Sequence, residues 1–328
     1  MKVWYDACTG KHIRYGTAIA RRLRESGHEV IFTTRDHPDT LPLAKILGEK
    51  PIVVGKYSPQ SLFSRLEESA NRVILFSKLF EGNLPDVAIS HQSVELCRAA
   101  FGLGVPIVLT ADTPHATAVN RLTIPLANTV IASCSIPKEF LRQQGARKIV
   151  QFKGVDEVAW IKDFKPTKIT GLKRPLIVVR QLETKAAYVS CKTDFTAKVA
   201  EKLSPLGNIH FIGRYDGARG GFRDKLGFLD SASLAAQADL VVTAGGTIAR
   251  EAALQGTPSI VISELGNTYV NKYLADLGFP VFIIRPWELL EIAKQNLGER
   301  VDVESKLTSL ENPLDKIEKA LHNAILKL

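Results

Sequence analysis

The stretch ADLVVTAGGTIAREAALQGTPSIVI, residues 238–262, contains one complete strand–helix–strand unit. Leu240–Thr243 and Ser259–Ile262 are apolar and rich in β-branched residues, so both are predicted strands. Between them, Ile248–Gln255 is a predicted helix that ends at Gly256. Two strands joined by one helix over so short a stretch predict a parallel pair with a crossover helix, the unit from which α/β sheets are built.

Strand and helix candidates alternate through most of the chain, which is typical of parallel sheets covered by helices. In the first half the predicted strands are Val3–Tyr5, Val30–Thr33, Ile52–Val54, Val87–Ile89, Ile107–Leu109, Val130–Ala132 and Ile149–Phe152. In the second half they are Leu176–Val179, His210–Ile212, Leu240–Thr243, Ser259–Ile262 and Val281–Ile284. The predicted helices are Ile13–Arg24, Leu62–Phe80, Val94–Phe101, Thr196–Leu203, Ser231–Ala236, Ile248–Gln255, Tyr269–Leu277 and Trp287–Gln295.

The alternation lapses between the two halves, where residues 154–174 are polar and contain Pro166 and Gly171. Such a segment is typical of a linker. We therefore predict an N-terminal Rossmann-like domain over residues 1–155, a linker over 156–174, a C-terminal Rossmann-like domain over 175–312 and a closing amphipathic helix over 313–328. Two doubly wound parallel-sheet domains predict a ligand site in a cleft between them.

The composition is that of a globular protein, with 45% hydrophobic and 23% charged residues in a chain of 328. No apolar run reaches the ~18 residues of a membrane span, and the chain starts with a predicted strand rather than a signal peptide, so we expect a cytoplasmic protein. Cys8, Cys97, Cys134 and Cys191 are far apart and lack the spacing of metal ligands. Reduced thiols are therefore expected, without a disulfide framework or a structural zinc.

The net charge of +9 favours an anionic partner. Lys and Arg are scattered and no aromatic–basic motif accompanies them, so nucleic acid is not expected, while phosphorylated small molecules and an anionic membrane surface both fit. Arg14, Arg21, Arg22 and Arg24 on the first predicted helix would suit peripheral contact with the inner face of a membrane. A solvated helix face explains the same arginines and is the preferred interpretation. The oligomeric state stays open.

Gly245, Gly246 and Thr247 form the turn between the strand and the helix of the opening stretch. Glycines let a backbone approach a ligand closely, and the first turn of the following helix directs N–H groups at a phosphate. Glu251 lies one helical turn beyond Thr247, on the same face. The alternative is a tight structural turn in which Glu251 pairs locally with Arg250 or a lysine.

A second polar turn, Thr9-Gly10-Lys11-His12, follows the first predicted strand. It lacks the GxGxxG pattern of a dinucleotide loop. Near the start of a helix the macrodipole disfavours an imidazolium, so His12 is expected to be neutral and able to act as a base. The alternative is a local packing role. Asp6, at the end of the strand, would either orient His12 or act as a structural cap.

Other polar residues follow predicted strands, and the carboxyl ends of parallel strands are where open sheets bind ligands. Asp112 and His115 follow Ile107–Leu109, with a helix-capping turn as an equal alternative. His91 follows Val87–Ile89 and has weaker support.

The second half shows the same arrangement. Arg180 follows its first strand and is a candidate diphosphate ligand, unless it forms a surface salt bridge with Glu183. Gly213 and Arg214 follow the next strand and make a weaker case.

Two stretches carry a resemblance to known enzymes. GGTIAREAALQGTPSIVI resembles the sugar-nucleotide motif of GT-B glycosyltransferases. TGKHIRYGTAIARRLRESGHEV is similar to the start of the lipid-linked N-acetylglucosaminyltransferase of peptidoglycan synthesis. Over nearly its whole length the chain resembles a largely archaeal GT-B family that is classed as a domain of unknown function, through stretches such as GHEVIFTTRD, ISHQSVELCRAAFGLGVPIV, NRLTIPLA and IVVRQLETKAAYV.

The resemblance implies roles for these residues. Gly245, Gly246 and Thr247 would hold the diphosphate of a nucleotide sugar, Glu251 would bind the ribose hydroxyls, and the neighbouring Arg250 is a further candidate for binding the nucleotide sugar. His12 falls at a candidate catalytic histidine. Thr9 and Gly10 fall in an acceptor or diphosphate loop, and Lys11 replaces a usual glycine and adds a cation.

The resemblance also implies a reaction. A glycosyltransferase would move a sugar from a nucleotide diphosphate donor, expected to be UDP-linked, to a hydroxyl acceptor whose identity stays open and which includes lipid-linked acceptors among its candidates. His12 or Asp112 would remove the acceptor proton, Arg180 and helix N-termini would stabilise the leaving diphosphate, and no metal is expected because no DxD-type pair is present.

Two alternatives stay open. One is a UDP-N-acetylglucosamine 2-epimerase-like enzyme, although ADTPHATAVNR lacks the glutamate of the epimerase motif His-x-Glu-Ala-Gly-Leu-Arg. The other is a non-catalytic protein that binds sugar nucleotides.

Overall fold

A computed structural model of the chain describes residues 1–182, 194–213, 228–262 and 268–325. The chain divides into two compact units. The first unit comprises Met1–Trp160 and Glu311–Leu328, and the second comprises Ile161–Leu310. Each unit contains a parallel sheet flanked by helices, as the alternating sequence pattern predicts.

Seven strands among the described residues form the sheet of the first unit. They are β1 (Lys2–Ala7), β2 (Glu29–Asp36), β3 (Ile52–Lys56), β4 (Val87–Ser90), β5 (Ile107–Thr110), β6 (Thr129–Ser133) and β7 (Ile149–Phe152). Their order is β3-β2-β1-β4-β5-β6-β7, and neighbouring strands are parallel. The direction of the winding reverses between β1 and β4, where Asp6 pairs with Ser90. Ligands bind at such reversals in open sheets.

The helices of the first unit begin close to strand ends. They are α1 (Gly10–Glu25), α2 (Thr40–Ile46), α3 (Leu62–Leu79), α4 (Val94–Gly102), α5 (Thr117–Thr123), α6 (Lys138–Gln143) and α7 (Val158–Ile161). The N-cap of α1 is Thr9, whose side chain accepts a hydrogen bond from the backbone N–H of His12. Gly16 lets α1 pack tightly on β1, because a Cβ there would lie 2.2 Å from the ring of Tyr5. This packing keeps the start of α1 beside the end of β1.

Five strands among the described residues form the sheet of the second unit. They are β8 (Leu176–Arg180), β9 (Asn208–Ile212), β10 (Leu240–Thr243), β11 (Ser259–Ile262) and β12 (Val281–Ile284). Their order is β12-β11-β10-β8-β9, again with parallel neighbours. The reversal falls between β8 and β10, where Arg180 pairs with Thr243. Arg180 and the glycine turn therefore lie side by side.

Helices cover both faces of this second sheet. They are α8 (Thr196–Leu203), α9 (Ser231–Gln237), α10 (Thr247–Ala253), α11 (Tyr269–Asp276), α12 (Leu289–Asn296) and α13 (Glu304–Ser309). Alternate residues of β8 point to opposite faces, so Ile177 and Val179 belong to one apolar cluster and Leu176 and Val178 to another. Such near-continuous apolar strands are expected where a parallel sheet is covered on both sides.

The last helix, α14 (Pro313–Ile325), packs on the first unit, against β5, β6, β7 and α1. Its apolar face buries Leu314, Ile317 and Leu321. Arg22 of α1 donates to Asp315 at 3.0 Å, which adds a polar contact at the rim. The helical spacing of apolar residues in the sequence indicated this buried face.

Two features of the structure correct the sequence-based description. The segment predicted as a linker from residue 156 begins with the buried residues Asp156 and Glu157 and continues into α7, where Val158 and Ile161 are buried, so its first part belongs to folded structure. The helix predicted from Trp287 begins at Leu289, because a short 3₁₀ turn, Pro286–Glu288, precedes it. Among the described residues, no helix is both long and apolar enough to cross a membrane.

Most arginines of α1 form contacts within the first unit. Arg14 is buried, and Arg24 donates to both carboxylate oxygens of Glu49 at 2.8 and 3.0 Å. Arg21 donates to the carbonyl of Leu47 at 2.8 Å. These contacts account for the helix arginines without a membrane surface.

Candidate functional site

The first unit holds a buried cluster of charges around Lys11. Its Nζ contacts a carboxylate oxygen of Asp112, and lies 3.1 Å from Asp156 Oδ2 and 3.5 Å from Glu157 Oε1. The side chains are 11% exposed for Lys11, 10% for Asp112, 3% for Asp156 and 0% for Glu157. Charges removed from water must be paired or neutralised, so one ammonium among three carboxylates is an unusual arrangement for a purely structural core. We call these four residues the Lys11 cluster.

Three separate segments bring the Lys11 cluster together. Lys11 is the second residue of α1, Asp112 follows β5, and Asp156 and Glu157 lie between β7 and α7. Because the strands are parallel, all these segments leave the sheet at its carboxyl edge. Of these residues, sequence reasoning singled out Lys11 and Asp112 and missed Asp156 and Glu157.

His91 joins the cluster from the end of β4. Its Nδ1 lies 2.7 Å from Thr110 Oγ1, and its Nε2 lies 3.4 Å from Asp112 Oδ1 and 3.9 Å from Asp156 Oδ2. The next residue, Gln92, has a φ of +56°. Non-glycine residues in this left-handed region store strain and often lie at functional sites. The sequence feature that made His91 a candidate was its position directly after a predicted strand.

His12 lies beside His91, with the two ring centroids 4.9 Å apart. Burial lowers the pKa of His12 well below its usual range, and the nearby charges of His91 and Lys11 lower it further. The backbone N–H of Cys8 donates to Nδ1 of His12 at 3.3 Å. A neutral ring that accepts at Nδ1 carries its proton on Nε2, so this geometry favours a hydrogen-bond donor over the predicted base.

Asp6 has a structural role in the first unit. Its carboxylate accepts hydrogen bonds from Arg72 at 2.8 and 3.1 Å, from Thr33 at 2.8 Å and from Ser93 at 2.6 Å. These bonds tie β1 to α3 and to the loop after β4. The structure therefore favours the structural alternative for Asp6 over an orienting role for His12.

The remaining predicted residues of the first unit lie around the cluster. Thr9 caps α1 and Gly10 is its first helical residue. His115 is exposed on the loop after β5. Burial lowers the pKa of His115, and the carboxylate of Asp112 opposes this shift. His115 is thus the most solvent-accessible of the predicted catalytic residues.

The second unit gathers most of its predicted ligands at the reversal of its sheet. Arg180 Nη1 donates to the carbonyl of Gly213 at 3.3 Å. The N–H of Gly245 donates to Thr243 Oγ1 at 3.0 Å. A Cβ on Gly245 would meet only Thr243 Oγ1, at an ordinary 3.7 Å. Arg180, Gly213 and Gly245 are partly exposed, as ligand-binding groups need to be.

Gly246 has a different explanation from the one that the sequence suggested. A Cβ there would lie 2.1 Å from Nη1 of Arg250. Arg250 is buried, and the same Nη1 donates to Asn271 Oδ1 at 3.0 Å. The absence of a side chain at Gly246 therefore accommodates the guanidinium of Arg250, and close approach of a phosphate is not needed to explain this glycine.

Glu251 is fully buried in α10, and its Oε2 accepts a hydrogen bond from Ser231 Oγ at 2.8 Å. This bond links α10 to the start of α9. Binding of ribose hydroxyls by Glu251 stays a prediction. Thr247, the first residue of α10, is partly exposed. Glu183 and Arg214 lie outside the described residues.

Three groups of the first unit have the spacing of metal ligands. One ligand atom each from His91, Asp112 and Asp156 lies within 4.8 Å of the others. However, the Lys11 ammonium contacts both carboxylates. A divalent cation would have to displace it, so the donor set fits a built-in organic cation better than a metal ion.

Comparison with known proteins identifies the family to which the chain belongs. A family model described as "Protein of unknown function (DUF354)" matches residues 1–325. The chain belongs to this family. It is 30% identical over 333 residues to an uncharacterized protein of Methanocaldococcus jannaschii, a match that covers 96% of each chain.

Solved structures show the same fold at low identity. A UDP-GlcNAc 2-epimerase of M. jannaschii, in complex with UDP-GlcNAc and UDP, has a TM-score of 0.70 at 16% identity, with 98% of this chain and 100% of that chain covered. The glycosyltransferase SnogD of Streptomyces nogalater has a TM-score of 0.59 at 18% identity, with 99% of each chain covered. The DUF354 chain therefore has a GT-B-like fold.

Proposed function

We propose that this DUF354 protein is an enzyme that transfers a sugar from a nucleoside diphosphate donor, UDP-linked in the first instance, to a hydroxyl acceptor. The observation that carries the proposal is the contact between Lys11 and Asp112 at the carboxyl edge of the first sheet. The Lys11 ammonium favours the ionised form of the Asp112 carboxylate. Other titratable groups lie beside this contact, at the edge where a doubly wound sheet binds its ligands.

Asp112 is the proposed base. Its Oδ1 accepts a hydrogen bond from Thr113 Oγ1 at 2.7 Å, and its Oδ2 contacts the Lys11 ammonium. Asp112 takes the proton of the acceptor hydroxyl, the oxygen forms a bond to the anomeric carbon, and the bond from that carbon to the diphosphate breaks. The electron pair leaves on the diphosphate, and the proton passes from Asp112 to solvent. His12 supplies a hydrogen-bond donor instead of the base.

The second unit is the proposed nucleotide-binding part. Arg180 offers a guanidinium suited to bidentate recognition of phosphate oxygens. The neighbouring turn at Gly245 and Thr247 offers backbone N–H groups without a blocking side chain. A fixed guanidinium and fixed N–H groups stabilise the negative charge that develops on a leaving diphosphate. They support a mechanism without a metal ion.

Epimerisation of a nucleotide sugar is the second candidate. An epimerase removes a proton from one face of a carbon and returns a proton to the other, so it needs more than one proton-transfer group. Asp156 and Glu157 provide additional acids beside Asp112. The TM-scores are also higher for the epimerase neighbour, 0.70, than for the transferase, 0.59.

Incubation of the purified chain with a panel of UDP-, GDP- and dTDP-sugars separates the two candidates. Proton NMR follows the anomeric signal of each donor, first alone and then with a mixture of hydroxyl acceptors, namely sugars, glycolipids and polyprenols. The transferase proposal expects stable donors alone and release of nucleoside diphosphate only with an acceptor. Conversion of a donor to its epimer without an acceptor would support the second candidate and contradict the first.

A further inference from the structure

Arg35 is a partly exposed arginine at the carboxyl edge of the first sheet, one residue before the end of β2. Its Nε donates to the carbonyl oxygen of Cys8 at 2.9 Å. The backbone N–H of the same Cys8 donates to His12, so the guanidinium of Arg35 lies beside the start of α1. The transfer reaction as proposed gives this arginine no role.

The guanidinium of Arg35 is held in one orientation. Its Cζ lies 4.7 Å from the ring centroid of Tyr57, and the ring of His37 packs on the same tyrosine with the two ring centroids 4.4 Å apart. The backbone of Arg35 is fixed as well, because its carbonyl accepts a hydrogen bond at 3.1 Å from the buried Thr40 Oγ1. A guanidinium that is already ordered on an aromatic ring loses little conformational freedom when it binds a ligand.

Arg35 also differs from other arginines of the first unit in its charge environment. Arginines that form ion pairs with carboxylates there include Arg22, Arg24 and Arg72. Within the described part of the chain, Arg35 forms no such ion pair, and its one hydrogen bond uses Nε. The next residue, Asp36, is exposed and does not pair with it. The two Nη groups of Arg35 are therefore available to a ligand.

A fixed guanidinium with available Nη groups is suited to an oxyanion. Its parallel N–H donors match the spacing of two oxygens in a phosphate or a carboxylate, and the opposite charges strengthen both hydrogen bonds. The net charge of +9 agrees with an anionic ligand. The chemistry of Arg35 therefore selects a ligand that carries one of these two groups.

We propose that Arg35 binds an anionic group, a phosphate or a carboxylate, of the hydroxyl acceptor. Acceptor recognition falls to the first unit because Asp112, the proposed base, belongs to that unit, whereas the proposed diphosphate ligands Arg180 and Gly245 belong to the second. Tyr57 holds the guanidinium in place for this contact. The assignment to the acceptor rests on the proposed function, whereas the binding of an anion by Arg35 does not.

Nitrogen-15 NMR of the full chain, labelled at the arginine Nε atoms, tests anion binding without any donor. The probes are glycerol 3-phosphate and glucuronate, and the controls are glycerol, glucose and sodium chloride at the same ionic strength. We expect one Nε–H signal to shift saturably with at least one of the two anions. This signal should be absent from Arg35→Lys and present in Arg142→Lys, which changes an exposed arginine.

Two outcomes of the titration would overturn the anion site. One is a wild type in which no arginine signal shifts more with the probes than with chloride, a result that does not depend on the folding of any variant. The other is a responding signal that persists in Arg35→Lys. Arg35→Gln serves the same purpose if Arg35→Lys does not fold.

Kinetics with matched acceptors tests the assignment to the acceptor. Each hydroxyl acceptor of the panel is offered beside its phosphorylated or carboxylated counterpart. The wild type should prefer an anionic counterpart, and Arg35→Gln should lower kcat/KM for it by about 10–100-fold, because hydrogen bonds between two charged groups are lost. Arg142→Gln should keep the preference. Equal use of neutral and anionic acceptors by the wild type would overturn the assignment.

The same kinetics distinguishes the acceptor from the donor as the source of the anion. If Arg35→Gln raised the KM of the donor with a neutral acceptor, the guanidinium would bind the donor diphosphate, and the assignment to the acceptor would be wrong. A chain that consumes no nucleotide sugar but shows the Arg35 shift would refute the proposed function and leave the anion site. Transfer without the shift would leave the proposed function and overturn the anion site.

Discussion

Lys11 is the residue on which the charged cluster of the first unit depends. Its ammonium contacts Asp112, Asp156 and Glu157. The lysine could be predicted from the sequence as an added cation near the site. Its partners could not, since they come from loops about 100 and 145 residues away along the chain.

Lys11→Met should destabilise the first unit by about 3 kcal/mol near pH 8, because it removes the ammonium that contacts three buried carboxyl groups. Without the ammonium, protonation of these carboxyl groups becomes more favourable, so the loss of stability should shrink as the pH falls toward about 5. Urea unfolding at both pH values measures the effect, with Lys165→Met, at an exposed lysine, as the control. An equal loss at both pH values would show that the cluster does not depend on the ammonium charge.

Gly246 and Gly245 allow a matched comparison within one turn. Gly246→Ala places a Cβ against the Arg250 guanidinium and should cost about 1–3 kcal/mol, because a buried side chain must move. Gly245→Ala makes only an ordinary contact and should change the stability by less than about 0.5 kcal/mol. Chemical denaturation checks both values. Equal costs at the two positions would refute the assignment of Gly246 to Arg250 packing.

The strands were easier to predict than the short helices. All twelve predicted strands are present, because runs such as Leu240–Thr243 and Ser259–Ile262 are apolar, β-branched and buried on both faces. α2, α5, α6, α7 and α13 were missed; each has four to seven residues, so it shows at most two turns of a 3.6-residue period. α9 and α10 have seven residues as well, and of the described helices this short they are the ones that were predicted. Of these helices, α7 has the largest consequence. Because α7 was not predicted, Asp156 and Glu157 were assigned to a linker.

The link between β1 and α3 depends on a buried ion pair. Arg72 is 1% exposed and Asp6 is 0% exposed. Arg72→Leu should destabilise the protein by about 3–5 kcal/mol, since Asp6 would be left as an uncompensated buried charge. Adding Asp6→Asn should restore part of this loss, and Arg142→Leu, at an exposed ion pair, should cost less than about 1 kcal/mol. Thermal unfolding of Arg72→Leu, Asp6→Asn, the double variant and Arg142→Leu tests this, and additive losses from the two single changes would contradict a coupled pair.

At the scale of the whole molecule, each unit presents polar groups at the reversal of its own sheet. In the first unit these are the Lys11 cluster and His91, and in the second they are Arg180 and the turn after β10. The positions after strands Ile107–Leu109 and Leu176–Val179 were visible in the sequence, because strand ends of a parallel sheet are a known location for ligands. Protonation states, the tautomer of His12 and the packing of Arg250 on Gly246 depend on side chains that meet only in the folded chain.

In the proposed reaction this GT-B-like chain consumes a nucleotide sugar with Asp112 as the base. Its most direct test uses the donor and acceptor that the panel identifies, with donor binding measured by calorimetry and donor consumption measured in a single turnover. Wild type and Asp112→Asn should bind the donor with similar affinity, while the variant should lose about 10²–10⁴-fold in rate. Undiminished turnover by Asp112→Asn, or a wild type that binds no nucleotide sugar at all, would contradict the account.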